Sequence, residues 1–171
     1  MSPSYLFKVV TVGSAAVGKT SMILRYVTGR FREYYAPTLG ADFSVKHIDF
    51  DKTTVKLQIW DLGSQDFLGQ VRAGFYPGAR GVVFLFDVTS EESYEALNDW
   101  KKEVDTHIKD YRSVVVANKT DLEDDRVVKK KEGKKVANEF DAAYIETSVK
   151  LNENVDDAFM LIAQSIMDDF G

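Results

Sequence analysis

Apolar positions along the chain alternate between short runs rich in β-branched residues and longer stretches in which they recur every three or four residues. The short runs predict strands, the longer stretches predict helices, and their alternation is typical of a parallel sheet covered by helices. The predicted strands are residues 6–12, 43–50, 55–60, 81–87, 113–118 and 143–146. The predicted helices are residues 19–28, 91–108, 127–140 and 155–170.

Two of these runs indicate how the sheet is built. Residues 82–86 are apolar without alternation, which predicts a strand buried on both faces. The runs 43–50 and 55–60 are joined by residues 51–54 only, short enough for a hairpin and one antiparallel pair. We therefore expect an α/β fold with a six-stranded, mostly parallel sheet, one antiparallel edge pair and helices on both faces.

Further features of the sequence predict a helix cap and the loops at which a ligand would bind. Thr89 or Ser90 is expected to cap the helix that begins at residue 91. In open α/β sheets ligands bind where the strands end and the loops begin. The loops of interest therefore follow the strands that end near residues 12, 60, 118 and 146.

Composition narrows the class of protein. The 171 residues suggest about one domain, with 44% hydrophobic and 29% charged residues in the ordinary globular range. The absence of cysteine excludes disulfides and thiolate metal sites, and the net charge of −5 argues against broad nucleic-acid affinity. Lys8 interrupts the first apolar stretch, so no signal peptide is expected, and no apolar run approaches the ~18 residues of a membrane span. These features predict a cytoplasmic protein without a nucleic-acid partner.

Residues 13–20 form a phosphate-binding pattern. They read Gly-Ser-Ala-Ala-Val-Gly-Lys-Thr, which matches G-x-x-x-x-G-K-[ST] between a predicted strand and a predicted helix. Glycines let successive N–H groups point at phosphate oxygens, with the positive end of the helix behind them. Lys19 adds a charge near the terminal phosphates, and the Thr20 hydroxyl can ligate Mg²⁺. The alternative is a glycine turn with an exposed lysine.

A second pattern identifies the base. Asn118-Lys119-Thr120-Asp121 ends a predicted buried strand, where the Asp121 carboxylate can accept from N1–H and the exocyclic amine of guanine. Adenine would leave that charge unpaired, a mismatch that can be rejected by ~10⁴-fold. Residues 147–150 (Thr-Ser-Val-Lys) follow the last strand and can offer a backbone N–H to the guanine carbonyl. The base pattern is weak alone and strong together with the phosphate loop.

These motifs resemble the Ras-like small GTPases, and within them the Rab branch, from about residue 5 to residue 169. Residues 35–38 (Tyr-Ala-Pro-Thr) resemble the first switch, and residues 39–43 (Leu-Gly-Ala-Asp-Phe) the Rab sequence after it. Trp60 and Asp61 with Gln65 resemble the second switch, and residues 78–81 and 87–89 continue the match. The resemblance implies a P-loop NTPase G domain over residues 1–171.

The resemblance also implies roles for individual residues. Phosphates would be bound by Gly13, Ser14, Ala15, Ala16, Val17, Gly18, Lys19, Thr20, Ser21 and Ser64. Guanine would be bound by Phe31, Asn118, Lys119, Asp121, Ser148, Val149 and Lys150. Mg²⁺ would be held by Thr20 and Thr38, and by Asp61 through water, and the catalytic residues would be Gln65, which orients the attacking water, with Lys19 and Thr38. Phe43, Trp60 and Phe75 resemble the aromatic triad presented to effectors, the alternative being core packing.

Three departures from the family pattern bear on catalytic rate. The second switch usually reads Asp-x-x-Gly, but here it reads Asp61-Leu62-Gly63-Ser64, so a residue with a Cβ supplies the N–H to the γ-phosphate. Ala15 and Ala16 replace glycines of the phosphate loop, and Val149 replaces an alanine beside the base. We therefore expect slow intrinsic hydrolysis of GTP, and looser guanine binding at Val149.

Two functions remain open at this stage. The first is a molecular switch that binds GTP or GDP with Mg²⁺ and slowly hydrolyses GTP, in Rab-like regulation of membrane traffic. The second is a GTP- or GDP-binding interaction module with little or no hydrolysis, whereas a P-loop kinase would not explain the base pattern. Arg30 and Arg32 are weak candidates for an internal arginine finger, so a GTPase-activating protein is expected to supply one. An exchange factor, effectors and a monomeric state are also expected.

Contact with membranes depends on features near the end of the chain. The sequence ends at Asp168-Asp169-Phe170-Gly171 without the cysteines that Rab-like proteins prenylate. We expect that a lipidated tail was removed, that charge and partners give peripheral membrane contact, or that the protein stays off membranes. Five lysines within residues 129–135 predict a solvated helix face, with contact to anionic lipid or an acidic partner as the alternative.

Overall fold

Six strands form one sheet in the computed structural model, which describes residues 4–31, 41–50 and 52–170. The strands are β1 (Ser4–Val12), β2 (Ala41–Phe50), β3 (Thr53–Leu62), β4 (Ala79–Asp87), β5 (Arg112–Asn118) and β6 (Ala143–Glu146). They lie in the order β2-β3-β1-β4-β5-β6. β2 and β3 are antiparallel and every other neighbouring pair is parallel. The predicted fold class is confirmed.

The helices surround this sheet. They are α1 (Lys19–Thr28), α2 (Gly69–Ala73), α3 (Glu91–Glu95), α4 (Leu97–His107), α5 (Lys130–Glu139) and α6 (Val155–Phe170). Short 3₁₀ turns cover Asp66–Leu68 and Glu123–Asp125. Ser90 caps α3, since its hydroxyl accepts from the Ser93 N–H at 3.1 Å, which confirms one of the two predicted caps.

Two predicted helices and the predicted hairpin differ most from the structure. The predicted helix 91–108 is two helices meeting at Ala96, although Ala96 still donates to Glu92 and accepts from Trp100. The predicted helix 127–140 begins at Lys130, because the N–H groups of Val127 and Val128 both donate to the Val88 carbonyl. The hairpin connection is shorter than expected, since Phe50 pairs with Thr53. The pattern also missed the helical segment 66–73.

Apolar side chains fill both faces of the sheet. Val83 and Leu85 of β4 pack on the side of α1 and α6, and Val82, Phe84 and Phe86 pack on the side of α4 and α5. β4 is therefore buried on both faces, as its uninterrupted apolar run predicts. The five parallel strands, β3, β1, β4, β5 and β6, carry their loops to one edge of the sheet, where the motif residues meet.

None of the described helices is long and apolar enough to cross a bilayer. The longest of them, α6, packs over the centre of the sheet, with Phe159, Ile162 and Ile166 fully buried. One face of this helix therefore belongs to the core, whereas Met160 and Leu161 are exposed.

Candidate functional site

The phosphate-binding pattern forms a loop between β1 and α1. Gly18 has φ 104°, and a Cβ there would lie 2.5 Å from Nδ2 of Asn118, so glycine is required by both conformation and space. The Lys19 ammonium donates to the carbonyls of Gly13, at 3.0 Å, and Ser14, at 3.4 Å. Lys19 is only 8% exposed, so the alternative of an exposed lysine is wrong. Burial lowers the pKa of this ammonium, and the charge of Asp61 opposes that shift.

Oxygen atoms from two elements meet beside this loop. Thr20 lies in the first turn of α1, and its hydroxyl donates to Oδ2 of Asp61 near the end of β3. The strands that position them are tied together, because the Thr11 hydroxyl donates to the Trp60 carbonyl at 2.8 Å. A hydroxyl and a carboxylate are the hard oxygen donors that Mg²⁺ prefers, so the donor set fits this ion. Thr38, predicted as the other ligand, lies outside the described residues.

The predicted second switch begins at the end of β3 and continues beyond it. Gly63 is buried and Ser64 half-buried, and Gln65 precedes the 3₁₀ turn. The side-chain oxygen of Gln65 is buried without a hydrogen-bond partner among the described residues. The backbone of this segment is held by Arg72 of α2, which donates to the carbonyls of Gly63, at 2.8 Å, and Gln65, at 2.7 Å.

Asn118 connects the loop predicted to bind phosphate to a loop predicted to bind guanine. Its Nδ2 donates to the Val17 carbonyl at 3.0 Å, and its Oδ1 accepts from the Thr147 hydroxyl at 3.0 Å and the Val149 N–H at 3.2 Å. Asn118, Thr147 and Ser148 are buried. One amide thereby satisfies donors and acceptors from loops that are far apart in sequence.

Lys119 forms a second connection between the same loops. Its ammonium donates to the Ala16 carbonyl at 2.8 Å and pairs with Oδ2 of Asp87 at 3.1 Å. Lys119 and Ala16 both have left-handed backbones, with φ 70° and 65°. Such conformations cost roughly 1–3 kcal/mol each for non-glycine residues and cluster at functional sites.

The two loops predicted to bind guanine lie against each other. The Ser148 hydroxyl donates to Oδ1 of Asp121 at 2.7 Å, which leaves the carboxylate beside the 147–150 loop. The Val149 side chain is buried in the core on the side of α1 and α6, and Lys150 is exposed. An effect of Val149 on guanine would therefore pass through the backbone of the loop.

Arg25 of α1 also contacts this region. Its guanidinium donates to the carbonyls of Val149, at 3.1 Å, and Lys150, at 2.9 Å. It lies over the ring of Phe31, 5.4 Å from the centroid. Arg25 thus joins the 147–150 loop to the aromatic predicted to contact guanine.

The three predicted effector aromatics form one surface. The ring centroids of Phe43 and Trp60 are 4.8 Å apart, and those of Trp60 and Phe75 are 5.0 Å apart. Phe43 is half exposed at 51%, whereas Trp60 and Phe75 are partly buried against the core. The side chains are therefore contiguous, with Phe43 exposed and with Trp60 and Phe75 packed against the core.

Four residues that support the site carry no individual prediction, although two of them lie in segments that the sequence singled out. These are Arg25, Arg72, Asp87 and Thr147. Asp87 and Thr147 could have been found as polar residues at the ends of predicted strands. The two arginines carry no local signal, because Arg25 contacts carbonyls 124 and 125 positions away. Of the other predicted residues, Arg32, the predicted first switch at residues 35–38, and residues 39 and 40 lie outside the described residues.

Comparison with known proteins agrees with this geometry. The model of the Ras family matches residues 8–168. The chain is 34% identical to "Ras-related protein Rab-8B" of Homo sapiens, over 95% of this chain and 79% of that protein. It is 37% identical to "Ras-related protein Rab-1" of Theileria annulata, over 96% and 76% of the two lengths. It is also 37% identical to "Ras-related protein RIC1" of Oryza sativa subsp. japonica, over 97% and 84%.

The order of motifs, the sheet and the extent of these matches lead to one conclusion. The chain belongs to the Ras family and is a Rab-like small GTPase, an enzyme that hydrolyses GTP to GDP.

Proposed function

We propose that residues 1–171 form one G domain that binds GTP or GDP with Mg²⁺ through the residues assigned from its motifs. The observation that carries the proposal is Asn118, which ties the Val17 carbonyl to Thr147 and Val149. Phosphate-binding and guanine-binding loops are thereby held in one arrangement. This geometry suits a nucleotide whose two ends must be bound together.

On the phosphate side, Lys19 and the 13–18 loop would neutralise charge that develops during phosphoryl transfer. The residues available to Mg²⁺ are Thr20, Asp61 through water, and Thr38. When bound, the ion would neutralise phosphate charge and align the terminal phosphate for in-line attack. Gln65 would orient the attacking water, and the Ser64 N–H would bind the γ-phosphate.

On the guanine side, Asp121 would accept from the N1–H and the exocyclic amine. Lys119 and Phe31 would flank the base, and the 147–150 loop would supply an N–H to the guanine carbonyl. Ser148 supports this assignment, because its hydroxyl bonds Asp121 at 2.7 Å and so orients the carboxylate. We assign the guanine specificity to this pair.

The protein would act as a regulatory switch in membrane traffic. A GTPase-activating protein would supply an arginine, worth ~10³–10⁵ in rate, an exchange factor would release GDP, and effectors would contact Phe43, Trp60 and Phe75. Phe43 supports the last assignment, because a half-exposed aromatic stacked on Trp60 offers apolar area to a partner. We propose a cytoplasmic monomer with peripheral membrane contact.

The first test is analysis of nucleotide bound to purified protein, followed by GTP turnover with Mg²⁺ present and with Mg²⁺ chelated. We expect bound GDP or GTP and turnover that is lost on chelation. Gln65→Leu should slow phosphate release, whereas Gln164→Leu, which changes an exposed glutamine of α6, should not. Equal rates for wild type and Gln65→Leu would support the non-hydrolysing alternative, which no contact among the described residues favours.

Intrinsic hydrolysis is expected to be slow. We expect a rate at or below the roughly 3–5 × 10⁻⁴ s⁻¹ of Ras, because Ala15, Ala16 and Ser64 add side chains around the γ-phosphate. Replacing both alanines by glycine should raise the single-turnover rate. A wild-type rate tenfold above that of Ras, or no gain from the glycines, would contradict this explanation.

A further inference from the structure

Arg72 is a buried charge in a segment where the sequence predicts no charged role. It lies in α2, and its side chain is 5% exposed. Buried guanidinium groups require partners, and Arg72 has them on two sides. One side faces the second switch and the other faces α4.

Toward the second switch, one nitrogen of Arg72 serves two carbonyls. Nη1 donates to Gly63 at 2.8 Å and to Gln65 at 2.7 Å. These carbonyls flank Ser64, whose N–H is proposed to bind the γ-phosphate. Arg72 therefore holds the peptide plane that contains the Ser64 N–H and the peptide plane that follows Gln65, and so restrains the backbone from which the Gln65 side chain extends.

Toward α4, the same guanidinium is held by a carboxylate. Nε and Nη2 of Arg72 donate to the two oxygens of Glu103, at 2.9 and 2.8 Å, and the Tyr76 hydroxyl donates to the same carboxylate. The guanidinium also lies over the Trp100 ring, 4.8 Å from its centroid. Because α4 packs on the sheet through Leu97, Trp100 and Val104, Glu103 is a fixed point.

We propose that Arg72, anchored by Glu103, is a positioning residue that places Gln65 for GTP hydrolysis. This inference rests on the proposed function of Gln65 and adds the residue through which Gln65 is held. We call Arg72, Glu103 and Tyr76 the switch anchor. Ser64 occupies the usual glycine position, so the backbone there has less conformational freedom than in the family pattern. Contacts from the switch anchor hold this segment instead.

The contacts require arginine rather than any cation. A lysine would keep the charge but has one nitrogen, which cannot bind both Glu103 oxygens and both carbonyls in a planar fork. Arg72→Lys therefore removes the planar set of hydrogen bonds and keeps the positive charge. Glu103→Gln keeps the shape of the anchor and removes its charge, which provides a second, conservative variant.

The test is single-turnover GTP hydrolysis, with GDP release and melting temperature measured on the same preparations. Arg72→Lys and Glu103→Gln should each lower hydrolysis by about tenfold or more, because small misplacements of a positioned group are costly to catalysis. GDP release should change by less than about twofold, because the guanine loops do not contact the anchor. Arg112→Lys is the matched control, as it alters an ion pair with Asp169 at the opposite end of β5.

A double-mutant cycle separates positioning from general support. If Arg72 acts through Gln65, Arg72→Lys should have little further effect in a Gln65→Leu background. A full tenfold loss in that background, or wild-type hydrolysis in both anchor variants, would overturn the proposal. If wild type itself were insensitive to Gln65→Leu, the proposed function would fail instead. A variant that lost hydrolysis, GDP retention and melting temperature together would show a structural role and also overturn the proposal.

Discussion

Arg25 shows how one side chain can couple parts of a site that no motif connects. Its guanidinium reaches the carbonyls of Val149 and Lys150 and also lies over Phe31. It additionally donates to the Gly29 carbonyl at 2.8 Å, just after α1 ends. Arg25 therefore restrains the 147–150 loop relative to the helix that begins the phosphate site.

Arg25→Ala is expected to speed GDP release by about tenfold. The change removes hydrogen bonds from a charged donor to the guanine loop, and about 1.4 kcal/mol corresponds to that factor. Release of a fluorescent GDP analogue measures it. Arg80→Ala is the control, because Arg80 likewise stacks on a phenylalanine, Phe170, but lies near the start of β4, at the far end of the sheet. Equal release from Arg25→Ala and wild type would show that the loop is held without it.

The residues that sequence could identify are those whose chemistry depends on local spacing. Gly18 and Lys19 act within one loop, and Asn118 lies three positions from Asp121. Arg72 could not be identified in this way, because its carboxylate partner is 31 positions away on α4. Asn118 was predicted for guanine, yet its visible contacts are to protein loops. Its role in connecting these loops could not be predicted, because the loops come together only when the strands form the sheet.

At the scale of elements, the hydrophobic pattern of the sequence located most strands and helices but missed the short helical segment 66–73. α2 has five residues, begins with Gly69 and is followed by Gly74, so it lacks both length and helix propensity. Residues 127 and 128 look like the start of a helix, but their N–H groups bind the Val88 carbonyl. A tertiary contact thus decided a boundary that periodicity could not.

The contact between α6 and β4 depends on a small residue. A Cβ at Gly81 would lie 2.8 Å from Cδ1 of Ile166 and 2.9 Å from Cγ1 of Ile162. Gly81→Ala should therefore lower the free energy of unfolding by about 1–3 kcal/mol, as overpacking does in well-packed cores. Chemical denaturation measures the change.

Gly74→Ala is the matched control for this substitution. Gly74 has φ −71°, and a Cβ there would meet the Val71 carbonyl at an ordinary 3.5 Å. It should leave the unfolding free energy within about 0.5 kcal/mol of wild type. If Gly81→Ala were equally neutral, α6 would have to shift more easily than its full burial indicates.

At the scale of the whole molecule, two ion pairs give the stability a dependence on pH. Burial raises the pKa of the Glu103 carboxyl, but hydrogen bonds from Arg72 and Tyr76 outweigh it and hold the pKa below its ordinary 4.5. The same balance holds for Glu146, whose carboxylate is bonded by Arg126 and Tyr144. Both carboxylates are therefore more acidic in the folded protein than in the unfolded chain.

The sign of the effect follows from this difference. Above about pH 5 both states are ionised and the stabilisation is fully present. As pH falls through the ordinary value of 4.5, the unfolded chain takes up protons first, and stability is lost until the folded pKa is passed. Denaturation curves between pH 7 and pH 3 should show this decline, and Glu103→Gln should make it shallower. An equally steep decline in that variant would place the acid sensitivity elsewhere.

The order of the strands also makes β2, at the edge of the sheet, easier to open than the central β1. β1 lies between β3 and β4, whereas β2 is hydrogen-bonded on one side only and buries little besides Ile48. Local opening of β2 breaks one ladder and exposes little apolar surface, so its amide protons should exchange with solvent well before those of β1. The strand that follows the predicted magnesium threonine is thus an edge strand that opens at lower cost than β1, and the sheet can loosen there while its centre stays closed.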